Sequence, residues 1–275
     1  MTNIDHYAVF GDPINHSKSP FIHHHFAEQT SQKLHYSAQQ VSAQQFNTQL
    51  TDFFARGGKG INCTVPLKEI AYKAVSQLTD RAEYAKAVNT IIQQPDGSLL
   101  GDNTDGVGLI QDITINHHVS LKMSNILILG AGGATRGILA PLLAQAPKQI
   151  IIANRTPSKA QQLALEFTRK IPITGCGFSD LPTQQFDLIL NATSASLSNQ
   201  VPPLPNDLLN KHSTCYDLAY SNKPTPFVRW GQQFTDKSLD GLGMLVEQAA
   251  EAFYLWRGIR PVTQTVIQDL INARL

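Results

Sequence analysis

From Ile126 onward the chain alternates short, continuously apolar runs with helical stretches: Ile126 to Leu129, Gln149 to Ala153, Phe186 to Asn191 and Thr214 to Leu218. A strand that is apolar at every position is buried on both faces, which calls for a parallel sheet with helices on either side. The first run feeds directly into Gly130-Ala131-Gly132-Gly133-Ala134-Thr135-Arg136 and then a helical stretch. That context is what a dinucleotide fingerprint requires: glycines let the backbone approach a pyrophosphate, which then faces a helix N-terminus. Thr135 stands where the third glycine of the fingerprint is usual.

The next strand ends in Ala153-Asn154-Arg155-Thr156. Folds that prefer NAD place an acidic residue here, on the ribose 2′-hydroxyl. No acid is present. Arg155 can stack on adenine and donate to a 2′-phosphate, Asn154 and Thr156 add neutral donors, and Lys159 adds charge one turn later. The combination predicts NADP as the cofactor.

The first half is organised differently. Tyr7 to Phe10 reads as a strand ended by Gly11-Asp12-Pro13, after which Ser19-Pro20 can cap and start a helix carrying His23, His24 and His25. Gly57-Gly58-Lys59-Gly60 breaks the chain before the strand-like run Ile61 to Val65, stopped by Pro66 and followed by a helix from Lys68. The Pro95-Asp96-Gly97 turn makes a hairpin of Ile91-Ile92 and Leu99-Leu100. Further on, Leu245, Val246, Ala249, Ala252, Phe253 and Trp256 form one apolar stripe, which predicts a helix over 243–256 that packs back across the domain boundary.

A length of 275 residues is long for one core and suits two. Lys and Arg number 22 against 21 Asp and Glu, so no long-range field gathers phosphate backbones or acidic membranes, and nucleic acid is not expected as a partner. No segment approaches the length of a bilayer span, and the opening lacks a basic stretch followed by an apolar run, so a cytoplasmic location is expected. Cys63, Cys176 and Cys215 are isolated, as idle thiols are. Adjacent histidines at 23, 24 and 25 point in different directions on a helix, so no metal site is expected there.

Polar residues concentrate where fold-building does not need them: Ser17-Lys18-Ser19, Asn62 to Lys68, and Asn89 with Asp102 to Asp105. With these segments in view, the chain resembles the shikimate dehydrogenase family along essentially its whole length. The resemblance runs in order through YAVFGDPINHSKSP, NCTVPLKE, AVNT, GDNTDGVG, GAGGATR, NRT, NATS and DGLGMLVEQAA. Departures are slight: Cys63 for the usual valine, Leu218 where methionine often lies beneath the nicotinamide, and Lys159 where arginine is frequent.

The resemblance implies an oxidoreductase that reversibly reduces 3-dehydroshikimate to shikimate with NADPH, on the route to chorismate and the aromatic amino acids. Lys68 and Asp105 take the catalytic positions. A neighbouring carboxylate favours the lysine's cationic form, which suits proton donation in the reducing direction. Ser17 and Ser19, with Tyr220, are expected at the substrate carboxylate; Asn62, Thr64, Asn89 and Gln248 are expected at the ring hydroxyls or the same anion. Gly130 to Arg136, Asn154, Arg155, Thr156, Lys159, Leu218, Gly241 and Met244 are expected around the cofactor. The alternative is a quinate/shikimate dehydrogenase using NAD or NADP, against which Arg155 and the missing acid both count.

The architecture expected is α/β: a three-layer substrate-binding and catalytic domain over 1–104, a Rossmann-like NADP domain over 105–240, and a C-terminal helical segment over 241–275 returning to the first, with the active site between the domains. A monomer or homodimer is expected.

Overall fold

The structure is a computed structural model that describes residues 4–167, 171–205 and 207–274. The chain divides into two compact units, Met1–Gly108 with Leu245–Leu270, and Leu109–Met244 with Ile271–Leu275. Among the described residues no helix is long and apolar enough to cross a membrane.

The first unit is built on a six-stranded sheet of β1 (Asp5–Gly11), β2 (Leu34–Gln40), β3 (Gly58–Cys63), β4 (Gln77–Leu78), β5 (Thr90–Gln93) and β6 (Leu99–Asp102), in the order β2-β1-β3-β5-β6-β4. β1 lies parallel to both β2 and β3, while β5 and β6 form the antiparallel hairpin expected around Pro95-Asp96-Gly97. Alternation along β1 sends its side chains to two faces. Ala8 and Phe10 join Phe46, Leu50, Ile61 and Leu67 on one side, under α2 (Phe46–Ala55) and α3 (Lys68–Ala74). Tyr7 and Val9 join Tyr36 and Trp256 on the other. Phe10 and Ile61 are fully buried, and each such side chain contributes about 1.5–3 kcal/mol by leaving water.

Trp256 lies near the end of α9 (Leu242–Arg257), the helix predicted from the apolar stripe. It packs directly over Gly60, where an added Cβ would stand 2.3 Å from the indole nitrogen, and its Nε1 donates to the Ile91 carbonyl at 3.1 Å. From Leu245 onward this helix belongs to the first unit. Two details differ from the sequence reading. The strand expected over Ile61 to Val65 stops at Cys63, after which the Thr64 N–H still reaches the Phe10 carbonyl and the chain turns away. The strand β2 carries the mostly polar sequence LHYSAQQ at a sheet edge, so it lacked the apolar signal.

The second unit holds a wholly parallel sheet of β7 (Asn125–Leu129), β8 (Gln149–Ala153), β9 (Ile173–Cys176), β10 (Leu188–Asn191), β11 (Thr214–Asp217) and β12 (Lys237–Asp240), ordered β12-β11-β10-β7-β8-β9. The chain winds outward from β7 to β9, then crosses back to set β10 beside β7. This is the Rossmann order, with its switch point between the first and fourth strands. Ile126, Ile128, Ile150 and Ile152 pack on one face, and Leu127, Leu129, Ile151 and Ile189 on the other. The edge strands β9 and β12, ITGC and KSLD, were not evident in the sequence because neither is an apolar run.

Candidate active site

In the first unit, Lys68 opens α3, directly after Pro66-Leu67, and Asp105 opens α5 (Asp105–Gln111), three residues beyond β6. These starts bring the two side chains together: Lys68 Nζ donates to Asp105 Oδ2 at 2.5 Å, and both groups are half-buried. Asp105 is held at two further points. Asn89 Nδ2 donates to its Oδ1 at 2.8 Å, and its own N–H donates to Asn103 Oδ1 at 3.1 Å.

Asn89 is buried and sits at the centre of the cluster. Its Oδ1 accepts from the Thr104 N–H at 2.9 Å and the Thr90 hydroxyl at 2.8 Å, and its Nδ2 also faces Thr104 Oγ1 and Gln248 Oε1 at 2.9 and 3.3 Å. Asn62 is buried one strand over. It spends its Nδ2 on the Asn89 carbonyl and Thr90 Oγ1, both at 3.1 Å, and accepts from the Tyr36 hydroxyl at 2.7 Å. Lys68, Asp105, Asn89, Asn62 and Gln248 therefore form one connected set. Thr104, Thr90 and Tyr36 belong to it and were not singled out by the sequence reading; Thr104 lies inside the polar segment noted there, whereas Tyr36 lies on the edge strand that gave no signal.

Ser17 and Ser19 are half-exposed, and the Ser19 N–H donates to Ser17 Oγ at 3.3 Å. The cap position of α1 (Ser19–Gln29) is Lys18, with no side-chain cap bond, so Ser19 is the first helical residue and not the cap the sequence suggested. Its hydroxyl lies beside the Tyr36 phenol. Thr64 is half-buried at the exit of β3, its methyl against Gly11. The three histidines of α1 diverge: His23 is buried and stacks on Tyr36 at 4.1 Å, His24 Nε2 accepts from the Tyr36 N–H, and His25 Nδ1 donates to the Phe21 carbonyl. Among the described residues no group of three or more His, Cys, Asp or Glu is arranged to hold a metal ion. Burial pushes the Cys63 and Cys215 thiols up to about 12, as befits unreactive thiols.

In the second unit, Gly130 follows β7 with φ +102°, and an added Cβ would meet the Ala192 carbonyl at 3.1 Å. The glycine turn thus lies against the loop after β10, at the switch point. Gly132 and Gly133 open outward, with nothing within 4 Å of an added Cβ, and Gly133 starts the twelve-residue helix α6 (Gly133–Ala144) with Ala131 and Ala134 beside it. Free first-turn N–H groups at an uncrowded surface suit a pyrophosphate. Thr135 is buried, its hydroxyl closing on the Gly130 carbonyl at 2.7 Å and shaping the turn, whereas Arg136 pairs with Glu166 on the following helix at 2.6 Å. Asn154 Nδ2 donates to the Thr156 carbonyl, folding the turn before α7 (Pro157–Phe167). Arg155 and Lys159 are exposed, and among the described residues neither pairs with a carboxylate. These features fit NADP, whose added phosphate the two exposed cations would hold.

The C-terminal ends of β10 and β11 are tied together by Asp217, which the sequence reading did not select. Its carboxylate accepts from Asn191 Nδ2 at 3.0 Å and from the Ser196 and Thr225 hydroxyls, both at 2.6 Å, and burial raises its pKa against those bonds. Leu218 follows it, half-buried. Gly241 lies against the Leu218 carbonyl and donates its N–H to that of Ala219, and Met244 packs half-buried against the same core. Tyr220 is half-buried in this unit near Arg274 and Asp240, and burial raises its phenol pKa.

A Rossmann-ordered sheet with a glycine turn at its switch point, and a lysine–carboxylate pair set among amides and hydroxyls, define a nicotinamide-dependent oxidoreductase acting on an alcohol. Residues 9–91 match the shikimate dehydrogenase substrate binding domain, 113–200 the shikimate/quinate 5-dehydrogenase family, and 241–270 the shikimate 5′-dehydrogenase C-terminal domain. The chain is 56% identical to the NADP(+) shikimate dehydrogenase of Methylococcus capsulatus over 275 residues, covering all of this chain and 99% of that one. Among solved structures it is similar to an Ael1 enzyme from Pseudomonas putida, with 44% identity, a TM-score of 0.92 and 97% and 98% of the two chains covered. It is also similar to the Thermus thermophilus shikimate 5-dehydrogenase in complex with NADP(H) and shikimate, with 30% identity, a TM-score of 0.84 and 99% and 100% covered. The chain belongs to the shikimate dehydrogenase family.

Proposed function

We infer that this chain reversibly reduces 3-dehydroshikimate to shikimate with NADPH, and that residues 1–104 with Asp105 and most of the C-terminal segment 241–275 supply the substrate-binding and catalytic groups, while the rest of 105–240, with Gly241 and Met244, holds the cofactor. The observation that carries the reading is the Lys68–Asp105 pair, 2.5 Å apart and fixed by Asn89. Ketone reduction needs a hydride and a proton, and NADPH supplies the hydride when bound. Lys68 Nζ delivers the proton to the oxygen of the forming alcohol and is reprotonated from solvent; in the oxidising direction the neutral amine takes it back. Asp105 orients the ammonium and is itself held in one rotamer by Asn89.

Ser17 and Ser19 are assigned to the substrate carboxylate, and Asn62, Thr64, Asn89 and Gln248 to its ring hydroxyls or the same anion. Neutral amides and hydroxyls already bonded to one another select a polyol strongly, because an analogue lacking a hydroxyl leaves them unpaired. Arg155 and Lys159 support NADP over NAD through a charge-assisted contact to the 2′-phosphate. A steady-state assay with shikimate and NADP tests the reading. Formation of NADPH is expected; no turnover of shikimate, with quinate or another polyol oxidised instead, would overturn it.

A further inference from the structure

Arg81, the second residue of α4 (Asp80–Ala85), lies outside the groups assigned to substrate or cofactor, yet it joins the two elements that present them. Its Nε donates to Asp102 Oδ1 and its Nη2 to Asp102 Oδ2, each at 2.7 Å, and the same Nη2 donates to Glu251 Oε1 at 2.9 Å. The two carboxylates are 1% and 9% exposed. Thr79, whose side chain caps α4, adds its hydroxyl to Asp102 Oδ1 at 2.7 Å, and Arg260 pairs with the remaining oxygen of Glu251.

From each carboxylate a short path leads to the site. Asp102 ends β6, and the three residues after it are pinned in turn: Asn103 Nδ2 donates to the Ala87 carbonyl at 3.0 Å, the Thr104 N–H to Asn89, and the Asp105 N–H to Asn103. Glu251 lies one turn along α9 from Gln248, whose Oε1 accepts from Thr104 Oγ1 at 3.4 Å. The links close a circuit from Arg81 through Asp102, Thr104, Gln248 and Glu251 back to Arg81.

We propose that Arg81 is a positioning residue for the reaction, whose forked guanidinium fixes Asp105 and Gln248 relative to one another by clamping the end of β6 to α9. The proposal rests on the reading that places Asp105 and Gln248 in the active site. A guanidinium suits this role because its donors are fixed in a plane and can hold two carboxylates from different elements at once, whereas an ammonium is a point charge that fixes neither direction. Stability alone does not call for such a group, since well-packed apolar side chains commonly stabilise as much as a buried ion network.

The test is Arg81→Lys and Glu251→Gln in the full chain, each checked by circular dichroism and thermal melting. Arg81→Lys should lower kcat for shikimate oxidation by roughly ten- to a hundredfold, the usual cost of a misplaced catalytic group, with KM for NADP within about twofold of the parent. Glu251→Gln, which loosens the α9 end of the clamp, should raise KM for shikimate severalfold and lower kcat less than Arg81→Lys does. If Arg81→Lys does not fold, the double variant Arg81→Gln with Asp102→Asn removes both charges together and should show the same fall in kcat. Unchanged kinetics in folded Arg81→Lys or in the double variant, or a loss that only tracks the unfolded fraction, would overturn the proposal. Hydrogen exchange in the free protein is independent of substrate identity: amides over 103–105 and 245–251 should exchange faster in Arg81→Lys. If the parent chain fails to turn over shikimate, the functional reading falls, while this exchange measurement still decides whether Arg81 clamps the two segments.

Discussion

Lys68 and Asp105, 37 residues apart in sequence, each open a helix and meet at 2.5 Å. Neither helix start places its residue at the other; the sheet does, because β3 and β6 both flank β5. Lys68 is thereby held by a carboxylate that is itself held by Asn89, which is how a flexible lysine is kept in one place.

Lys68→Ala should cut turnover by about two to four orders of magnitude, the usual worth of a positioned acid or base. Shikimate binding should weaken much less, because Asn89, Asp105 and the serines remain to hold the ring in the ground state. Steady-state kinetics with Lys68→Ala and Lys68→Met check this. Near-normal turnover in either folded variant would mean that another group moves the proton.

Ser17→Ala and Ser19→Ala should each weaken shikimate binding and leave NADP affinity nearly unchanged. Ser17 Oγ accepts the first helical N–H, that of Ser19, at 3.3 Å, so Ser17→Ala should cost a small amount of stability, whereas Ser19 is the first residue of α1 and not its cap, so Ser19→Ala should cost less. Separate titrations of the two ligands and a thermal melt check both halves. Intact shikimate affinity in both variants would remove the serines from the site.

Arg155→Ala should raise KM for NADP by about ten- to a hundredfold, the scale of a charge-assisted phosphate contact, while KM for shikimate holds. The exposed Arg155 makes no ion pair among the described residues, so its loss should cost no stability. Comparison of NADP with NAD in parent and variant decides the matter. Equal use of the two cofactors by the parent would sink the assignment.

His23 gives a pH-dependent prediction. Burial pushes the fully buried imidazole from 6.5 down to about 3, against a raising contribution from the Asn62 side chain. Between those values the unfolded chain binds a proton that the folded chain refuses, so stability falls as pH drops below 6.5, by up to about 1.4 kcal/mol per pH unit. Above 6.5 both states are neutral and the contribution is flat. His23→Phe keeps a ring on Tyr36 and should lose less stability than the parent between pH 7 and pH 5, measured by denaturant unfolding. Equal losses would place a charged or solvated histidine there instead.

Much of this protein is written locally. Ile126 to Leu129 and Gln149 to Ala153 can only be strands buried on both faces, and the glycines that follow Leu129 announce a close approach to something planar or anionic. Lys68, Asp105 and Asn89 stand out in the sequence because polar groups gather where neither a core nor a turn needs them, Arg155 because it ends a strand where an acid is usual, and all four because the order of the motifs resembles a family. The edge strands β2, β9 and β12 were not identifiable, since an edge is half solvated and its sequence carries no continuous apolar run. The tertiary structure alone decided who meets whom: that Asn89 spends its amide on Asp105, that Thr104 and Tyr36 belong to the cluster, that Asp217 ties the ends of β10 and β11, and that Arg81 joins β6 to α9. Apolar periodicity depends only on which face of an element is buried, so it survives in the sequence; a hydrogen bond depends on the distance between two atoms whose separation the chain sets only after every intervening element has packed.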